Sequence, residues 1–257
     1  MIKNIVVVAS GKGGVGKSTI SVNLATSLSK KNYNIGLLDA DIYGPSIPKM
    51  LGIQGKPAVS KSKKILPYVS FGLKSMSIGN MIPQDGSVIW RGAMASNAIR
   101  QLINDVEWGD LDYLFIDLPP GTGDIQLSLC QSFSIAGAVI VSTPQEISLL
   151  DVRKAINMFN KVNVEVVGMI QNMSYFENDG DKNYIFGKDG VKNESKKLNH
   201  TFLGEVPILE EISSSCDLGK PACFTNEKIY QNIFEKISDN FISSFSKIKK
   251  KEVKIES

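Results

Sequence analysis

Gly11-Lys12-Gly13-Gly14-Val15-Gly16-Lys17-Ser18-Thr19 follows an apolar run, Ile5-Val6-Val7-Val8-Ala9, that reads as a buried strand. It precedes residues 20–31, where Ile20, Leu24 and Leu28 recur on one helical face with Ala25 between them. Gly11, then four residues, then Gly16-Lys17-Ser18 fits the phosphate-binding pattern G-x-x-x-x-G-K-[ST]. The chemistry asks for these residue types. Glycines let backbone N–H groups turn inward around phosphate oxygens, because no Cβ blocks a positive φ. The helix that begins here points its partial positive end at the same phosphates. Lys17 can reach the β and γ phosphates, and the Ser18 hydroxyl can ligate Mg²⁺.

The same glycines also satisfy the dinucleotide fingerprint G-x-G-x-x-G, with Asp39 about where a ribose-binding acid stands. Lys17-Ser18 decides between the two, because a dinucleotide loop has no use for an ammonium and a hydroxyl at those positions. A second apolar strand ending in an acid, Asp117, points the same way.

A chain of 257 residues with 42% apolar content can bury a large core and suits one α/β domain. The fold class expected is a three-layer P-loop NTPase fold, a mostly parallel twisted sheet with helices on both faces. It forms a single ATPase domain over residues 1–246, followed by a basic tail, 247–257. A net charge of +3 argues for no nucleic-acid role. The tail lysines read as a solvated, frayed end. The apolar run after Met1-Ile2-Lys3 is too short for a signal peptide, and no stretch is long enough to span a membrane. Three cysteines without a framework suggest a reducing, cytoplasmic setting.

Further along, residues 34–39 read as a second strand running into Asp39-Ala40-Asp41. Acids at the carboxyl end of a strand face the crevice where α/β proteins bind ligands. Residues 68–78 and 88–90 alternate as strands do, and residues 93–104 read as a helix with Met94, Ala98, Ile99 and Leu102 inward. Tyr113-Leu114-Phe115-Ile116-Asp117 is a buried strand whose terminal acid suits a Mg²⁺ or water ligand. Pro119-Pro120-Gly121-Thr122-Gly123 after it can sense the γ-phosphate. Strands at 138–143 and 164–171, a helix at 149–159, and a last strand through Pro207 complete the alternation. Ile229, Ile233, Ile237, Phe241 and Phe245, with Phe234 beside them, mark a closing helix packed on the sheet.

Lys12-Gly13-Gly14-Val15-Gly16-Lys17-Ser18 resembles the deviant phosphate loop of ATPases related to the Min and Par proteins and the nitrogenase iron protein. Asp39-Ala40-Asp41-Ile42-Tyr43-Gly44-Pro45-Ser46, Trp90-Arg91-Gly92, Asp117-Leu118-Pro119-Pro120-Gly121-Thr122-Gly123-Asp124 and Asn172-Met173-Ser174-Tyr175-Phe176 narrow the resemblance. Together they look like the Mrp, or ApbC-type, subfamily of iron–sulfur cluster carriers. The resemblance implies a cytoplasmic homodimer that hydrolyses ATP with Mg²⁺ and delivers clusters to client apoproteins. It implies no nucleic-acid partner and no stable membrane association. Lys12 would reach the partner subunit's phosphates, Lys17 would hold its own, and Asp41 would position the attacking water. Nucleotide contacts would run from Gly11 through Lys12, Gly13, Gly14, Val15, Gly16, Lys17 and Ser18 to Thr19. Ser18, Asp39 and Asp117 would support Mg²⁺. Asn172 would read the adenine edge with Pro207 near the base.

One departure stands against this. The family usually places C-x-x-C shortly after Met-Ser-Tyr-Phe, where two subunits hold a four-iron four-sulfur cluster. Here the stretch from Glu177 to Gly187 has no cysteine. Cys130 sits in an apolar helical stretch that suggests core packing, and Cys216 and Cys223 follow Ser213-Ser214-Ser215 in an expected loop. A nucleotide-dependent switch or adaptor of the Min/Par type that holds no cluster is therefore the alternative. Membrane positioning of the Min type is disfavoured by Trp90-Arg91-Gly92 and Tyr43-Gly44-Pro45-Ser46.

Overall fold

The computed structural model describes residues 1–81, 92–178, 180–226 and 228–255, with the side chains of 92, 93, 213 and 249–255 left aside. The expected strand at 88–90, and Trp90 and Arg91 of the Trp-Arg-Gly motif, lie outside these residues.

Strand β1 (Ile5–Ala9) sends Val6 and Val8 to one face and Val7 and Ala9 to the other. Both faces are covered, which is why the strand reads as continuous apolar sequence. β2 (Ile35–Asp39) and β5 (Tyr113–Asp117) are buried along their whole length for the same reason. β3 (Tyr68–Ser70), β4 (Leu73–Ser77), β6 (Ile135–Ser142), β7 (Val166–Asn178), β8 (Asp181–Asn183) and β9 (Phe202–Ile208) complete the sheet. Among the described residues the order is β3-β4-β2-β5-β1-β6-β7-β8, with β9 also pairing β7. The β3–β4 and β7–β8 pairs are antiparallel and the rest parallel.

Parallel neighbours need crossovers, and the helices supply them. Helix α1 (Lys17–Lys30) and the long α8 (Lys228–Ile255) share one face, where Ile20, Leu24 and Leu28 meet Phe234, Ile237 and Phe241. On the opposite face lie α3 (Gly92–Asp105), α4 (Asp124–Ser132), α5 (Glu146–Lys161) and α6 (Gly190–Lys197). The short α2 (Ile47–Met50) and α7 (Glu210–Asp217) pack against each other beside the α1 layer. Register brings three strand ends together: Asp39 pairs with Asp117, and Asp117 with Val8. The carboxyl ends of β1, β2 and β5 therefore open on one crevice, where parallel α/β sheets bind ligands. No helix among the described residues is long and apolar enough to cross a membrane.

Several local expectations change. Met94 is 52% exposed, so α3 turns Ala95, Ile99 and Leu102 inward instead. Ile229 is exposed at the first turn of α8, which buries its stripe only from Tyr230 onward. That helix also carries on through Ile255, into the stretch expected to be tail. β7 runs seven residues past Gln171, so Asn172 to Phe176 lies within a strand, with a bulge where Met173 takes φ 54°. Ser213 to Cys216 is helical in α7, not loop.

The closing helix is held by an aromatic cluster. Phe241 sits 5.4–5.7 Å from the rings of Tyr113, Phe115 and Phe245. Phe241 is fully buried, so Phe241→Ala removes both transfer energy and close packing. Urea denaturation should show a loss of about 3–5 kcal/mol. A loss below about 1 kcal/mol would mean that α8 is not integral to the sheet's cover.

Candidate functional site

β1 ends at Ala9, and the chain turns through Ser10 to Gly16 before α1 begins at Lys17. Two glycines make the turn possible. Gly14 and Gly16 both hold φ 77°, and a Cβ on Gly16 would lie 2.2 Å from Asn172 Nδ2. The Asn172 amide donates to the Val15 carbonyl at 2.8 Å, tying the loop to β7. The Ser10 hydroxyl donates to the Lys12 carbonyl at 2.9 Å, and Gly121 N–H to the Ser10 carbonyl at 3.0 Å. The second bond joins the loop to the Pro119-Pro120-Gly121 segment. Gln126, on α4, holds that segment from behind through the Pro119 and Pro120 carbonyls at 2.9 and 3.2 Å.

Inside the turn sits a buried charge cluster. The Lys17 ammonium lies 2.8 Å from Asp117 Oδ2, and its side chain is only 6% exposed. The Ser18 hydroxyl donates to the same oxygen at 2.6 Å, and Ser21, one helical turn beyond Lys17, donates to Oδ1 at 2.6 Å. Asp41 stands across the crevice, its Oδ2 4.0 Å from Lys17 Nζ. Asp39, fully enclosed, accepts N–H groups from Asp41 and Ile47 and the Ser77 hydroxyl, each at 3.1 Å. Burial and the nearby Asp117 carboxylate push its pKa up to about 7, against the pull of those N–H donors and Lys17.

Between these groups lies a pocket of about 210 Å³. Residues 13–19 form one wall, Asp41 and Ser46 face it, and Pro120 stands at its rim. Backbone N–H groups at a helix start, an ammonium and hydroxyls around a small polar pocket make an anion cradle.

Of the residues expected from sequence, Gly13, Gly14, Val15, Gly16, Lys17, Ser18, Thr19 and Asp41 border the pocket. Gly11 does not: a Cβ there would fall 2.4 Å from the Asp151 backbone, so this glycine seats the loop against α5. Lys12 is half-buried and enters none of the ion pairs among the described residues. Asp39 and Asp117 lie beneath the pocket rather than on its wall. Asn172 pairs with Val206 across β7 and β9, so Pro207 is one residue from its partner, and neither Asn172 nor Pro207 lines the pocket. Ser21, Ser46, Ser77 and Gln126 were missed. Ser21 alone had a local signal, a polar residue four after Lys17 on a buried helix. The others arrive from other elements.

The chain matches the family described as "ParA: NUBPL iron-transfer P-loop NTPase" over residues 1–242. It is 45% identical to the iron-sulfur cluster transfer protein NUBPL of Dictyostelium discoideum, covering 92% of this chain and 76% of that protein. It is 47% identical to the iron-sulfur cluster carrier protein of Aquifex aeolicus, covering 86% of this chain but only 62% of that relative. Among solved structures, a nucleotide-binding protein from Archaeoglobus fulgidus in complex with ADP superposes with TM-score 0.78 at 38% identity. That match covers 91% of this chain and 92% of the other.

Asn172→Ala removes the tie from β7 to the Val15 carbonyl. ATP and GTP should both bind roughly tenfold more weakly, about 1.4 kcal/mol for one buried hydrogen bond, by calorimetry. Unchanged GTP binding would show that the loop does not depend on Asn172.

Proposed function

The chain belongs to the ParA family of NUBPL-type iron-transfer P-loop NTPases, and on that premise we propose that it is a Mg²⁺-dependent ATPase taking part in iron–sulfur cluster delivery to client apoproteins. The observation that carries the ATPase reading is the convergence of Lys17, Ser18 and Asp41 on one small cradle. The reaction is attack of water on the γ-phosphate. Backbone N–H groups of residues 13–19 hold the phosphate chain, and Lys17 transfers its ammonium from Asp117 to the β and γ oxygens. Asp41 faces the γ-phosphate position and orients the water. Lys12 reaches across a homodimer to the partner's phosphates and offsets charge there as an arginine finger does. Asn172 would read the adenine edge, with Pro207 near the base.

The donor chemistry fits Mg²⁺, since Ser18 Oγ and Asp117 Oδ2 are adjoining hard oxygens, and Asp117 Oδ2 would be released when Lys17 turns from it to the phosphates. These two residues would hold the ion, which supplies charge neutralisation at the phosphates.

The cluster is cargo, and this chain's own thiols do not fit it. Cys130, Cys216 and Cys223 are 7%, 6% and 1% exposed. Burial pushes the three thiols up to about 11, 11 and 12 respectively, and none stands at the surface where a cluster could meet it. The ATPase therefore acts on a cluster whose thiolates come from another chain.

Lys17→Ala should abolish ATP binding measurable by calorimetry, at least tenfold weaker, because the main buried cation at the phosphates goes. Lys12→Ala and Asp41→Asn should bind ATP within about twofold of normal and release phosphate at least a hundredfold more slowly. Equal loss of binding in the Lys12 and Lys17 variants would refute the role of Lys12 in trans.

After anaerobic reconstitution with iron and sulfide, the purified protein should show no stable iron–sulfur charge-transfer band while still hydrolysing ATP. A stable band with about four irons per dimer would overturn the assignment of the thiolates to another chain.

A further inference from the structure

The loop between β2 and α2, residues 40–46, carries two of the pocket's facing groups, Asp41 and Ser46, and buries Ala40 and Ile42 in the core. Tyr43 is 75% exposed, and Gly44 and Pro45 are exposed as well. Its near end is held by Ala40 N–H on the Asp117 carbonyl at 3.0 Å. Pro45 rests against Gly79, where a Cβ would come within 2.8 Å of the proline ring. Beyond the packing of Ile42 and the Tyr43 N–H on Asp41 Oδ1 at 3.2 Å, one side chain from outside the loop holds it at two points. Asp39 Oδ1 accepts the N–H of Asp41, and Oδ2 accepts the N–H of Ile47, where α2 starts. The Ser77 hydroxyl, at the end of β4, bonds Oδ2 as well and accepts the Gly79 N–H at 3.0 Å. One carboxylate thus pins the loop both two and eight residues beyond itself and fastens it to the neighbouring strand.

We infer that Asp39 is a positioning residue that sets Asp41 against the γ-phosphate by clamping both ends of this loop, and is not a ligand of the metal ion. The inference rests on the ATPase reading above for the role of Asp41. Its geometric basis is separate from it. Both Asp39 oxygens are engaged by donors from the loop and from Ser77, and the side chain is fully enclosed. Turning either oxygen to an ion in the pocket would release an anchor of the loop that shapes the pocket. Only a carboxylate meets the demand, because an asparagine presents one acceptor and one NH₂ and cannot receive both backbone N–H groups. A displacement of about 1 Å in a group that orients a reactant costs on the order of a hundredfold in rate.

The test is Asp39→Asn in the full chain. The rate of phosphate release should fall by roughly ten- to a hundredfold, with KM for ATP within about threefold and the half-saturating Mg²⁺ concentration unchanged. In an Asp41→Asn background the same substitution should add no further loss, because its effect passes through Asp41. Ser77→Ala, which keeps both N–H anchors, should slow release only a few-fold in the same pattern. A tenfold rise in half-saturating Mg²⁺, with the rate restored at high Mg²⁺, would make Asp39 a metal ligand and overturn the inference. Losses that multiply in the double variant would overturn it too. Amide exchange separates this inference from the ATPase reading. Asp39→Asn should speed exchange at Asp41 or Ile47 at least tenfold, whether or not the protein turns over ATP. If the normal protein hydrolyses no ATP, the ATPase reading falls while the clamp stands on exchange. If exchange at both amides is unchanged, the clamp falls. Should Asp39→Asn fail to purify, Asp39→Glu, which displaces the carboxylate by one methylene, carries the test: faster exchange at Asp41 or Ile47 supports the clamp and unchanged exchange at both refutes it.

Discussion

The Asp117 carboxylate ends β5 fully buried and accepts the Lys17 ammonium and the hydroxyls of Ser18 and Ser21 within 2.6–2.8 Å. Burying two opposite charges is costly, and it is tolerated only when hydrogen bonds occupy the oxygens that the ion pair leaves over. The two serines do that here. The same residue receives Ala40 N–H on its backbone carbonyl, so it joins β5, the start of α1 and the loop after β2. The ammonium of Lys17 and the hydroxyl of Ser18 are thus held side by side at the pocket by the protein's own carboxylate.

The sheet makes this meeting possible. Because β1, β2 and β5 run parallel, their carboxyl ends lie together, and register sets Asp39 beside Asp117. Two carboxylates so placed repel each other, and the surrounding donors keep them apart in function. Asp117 faces the cations and hydroxyls of α1. Asp39 faces the amides of its own loop. Helix α1 passes beneath with polar residues buried along it. Asn23 and Thr26 return hydrogen bonds to carbonyls one turn back and Ser21 gives its proton to Asp117, so their burial leaves no unmet polar group on the helix side.

The groups around the pocket are gathered at one place, whereas the thiols are split, Cys216 and Cys223 together beside Asn23 and Cys130 apart from them. Cys130 belongs to the core on the α4 face of the sheet, and Cys223 to the core on the α1 face, with the sheet between them. Cys216 lies on α7, buried. No local rearrangement of one loop would bring the three to a common surface. Family membership therefore rests on the nucleotide-site motifs and the fold rather than on an arrangement of this chain's thiols.

Much was legible from the chain alone. The loop spacing, the apolar runs and the strand-end acids specify a P-loop α/β fold because each is a local rule of backbone geometry: glycine for positive φ, uninterrupted apolar residues for a strand covered on both faces. The helix periods of α1 and α8 were readable for the same reason, although Met94 and Ile229 misled, since a stripe read from spacing does not show where the covering layer stops. What the tertiary structure decided lies in contacts between residues far apart in the chain. That Asn172 ties Val15, that Ser77 and the Ile47 amide meet Asp39, and that Ser213 to Cys216 is a helix rather than a loop depend on packing between elements. The sequence by itself determined which groups could bind phosphate, because residue type and spacing set that chemistry. Only the fold decided which carboxylate faces the cations and which is spent on its own backbone, because Asp39 and Asp117 end their strands alike and differ solely in the donors that the neighbouring elements bring to them.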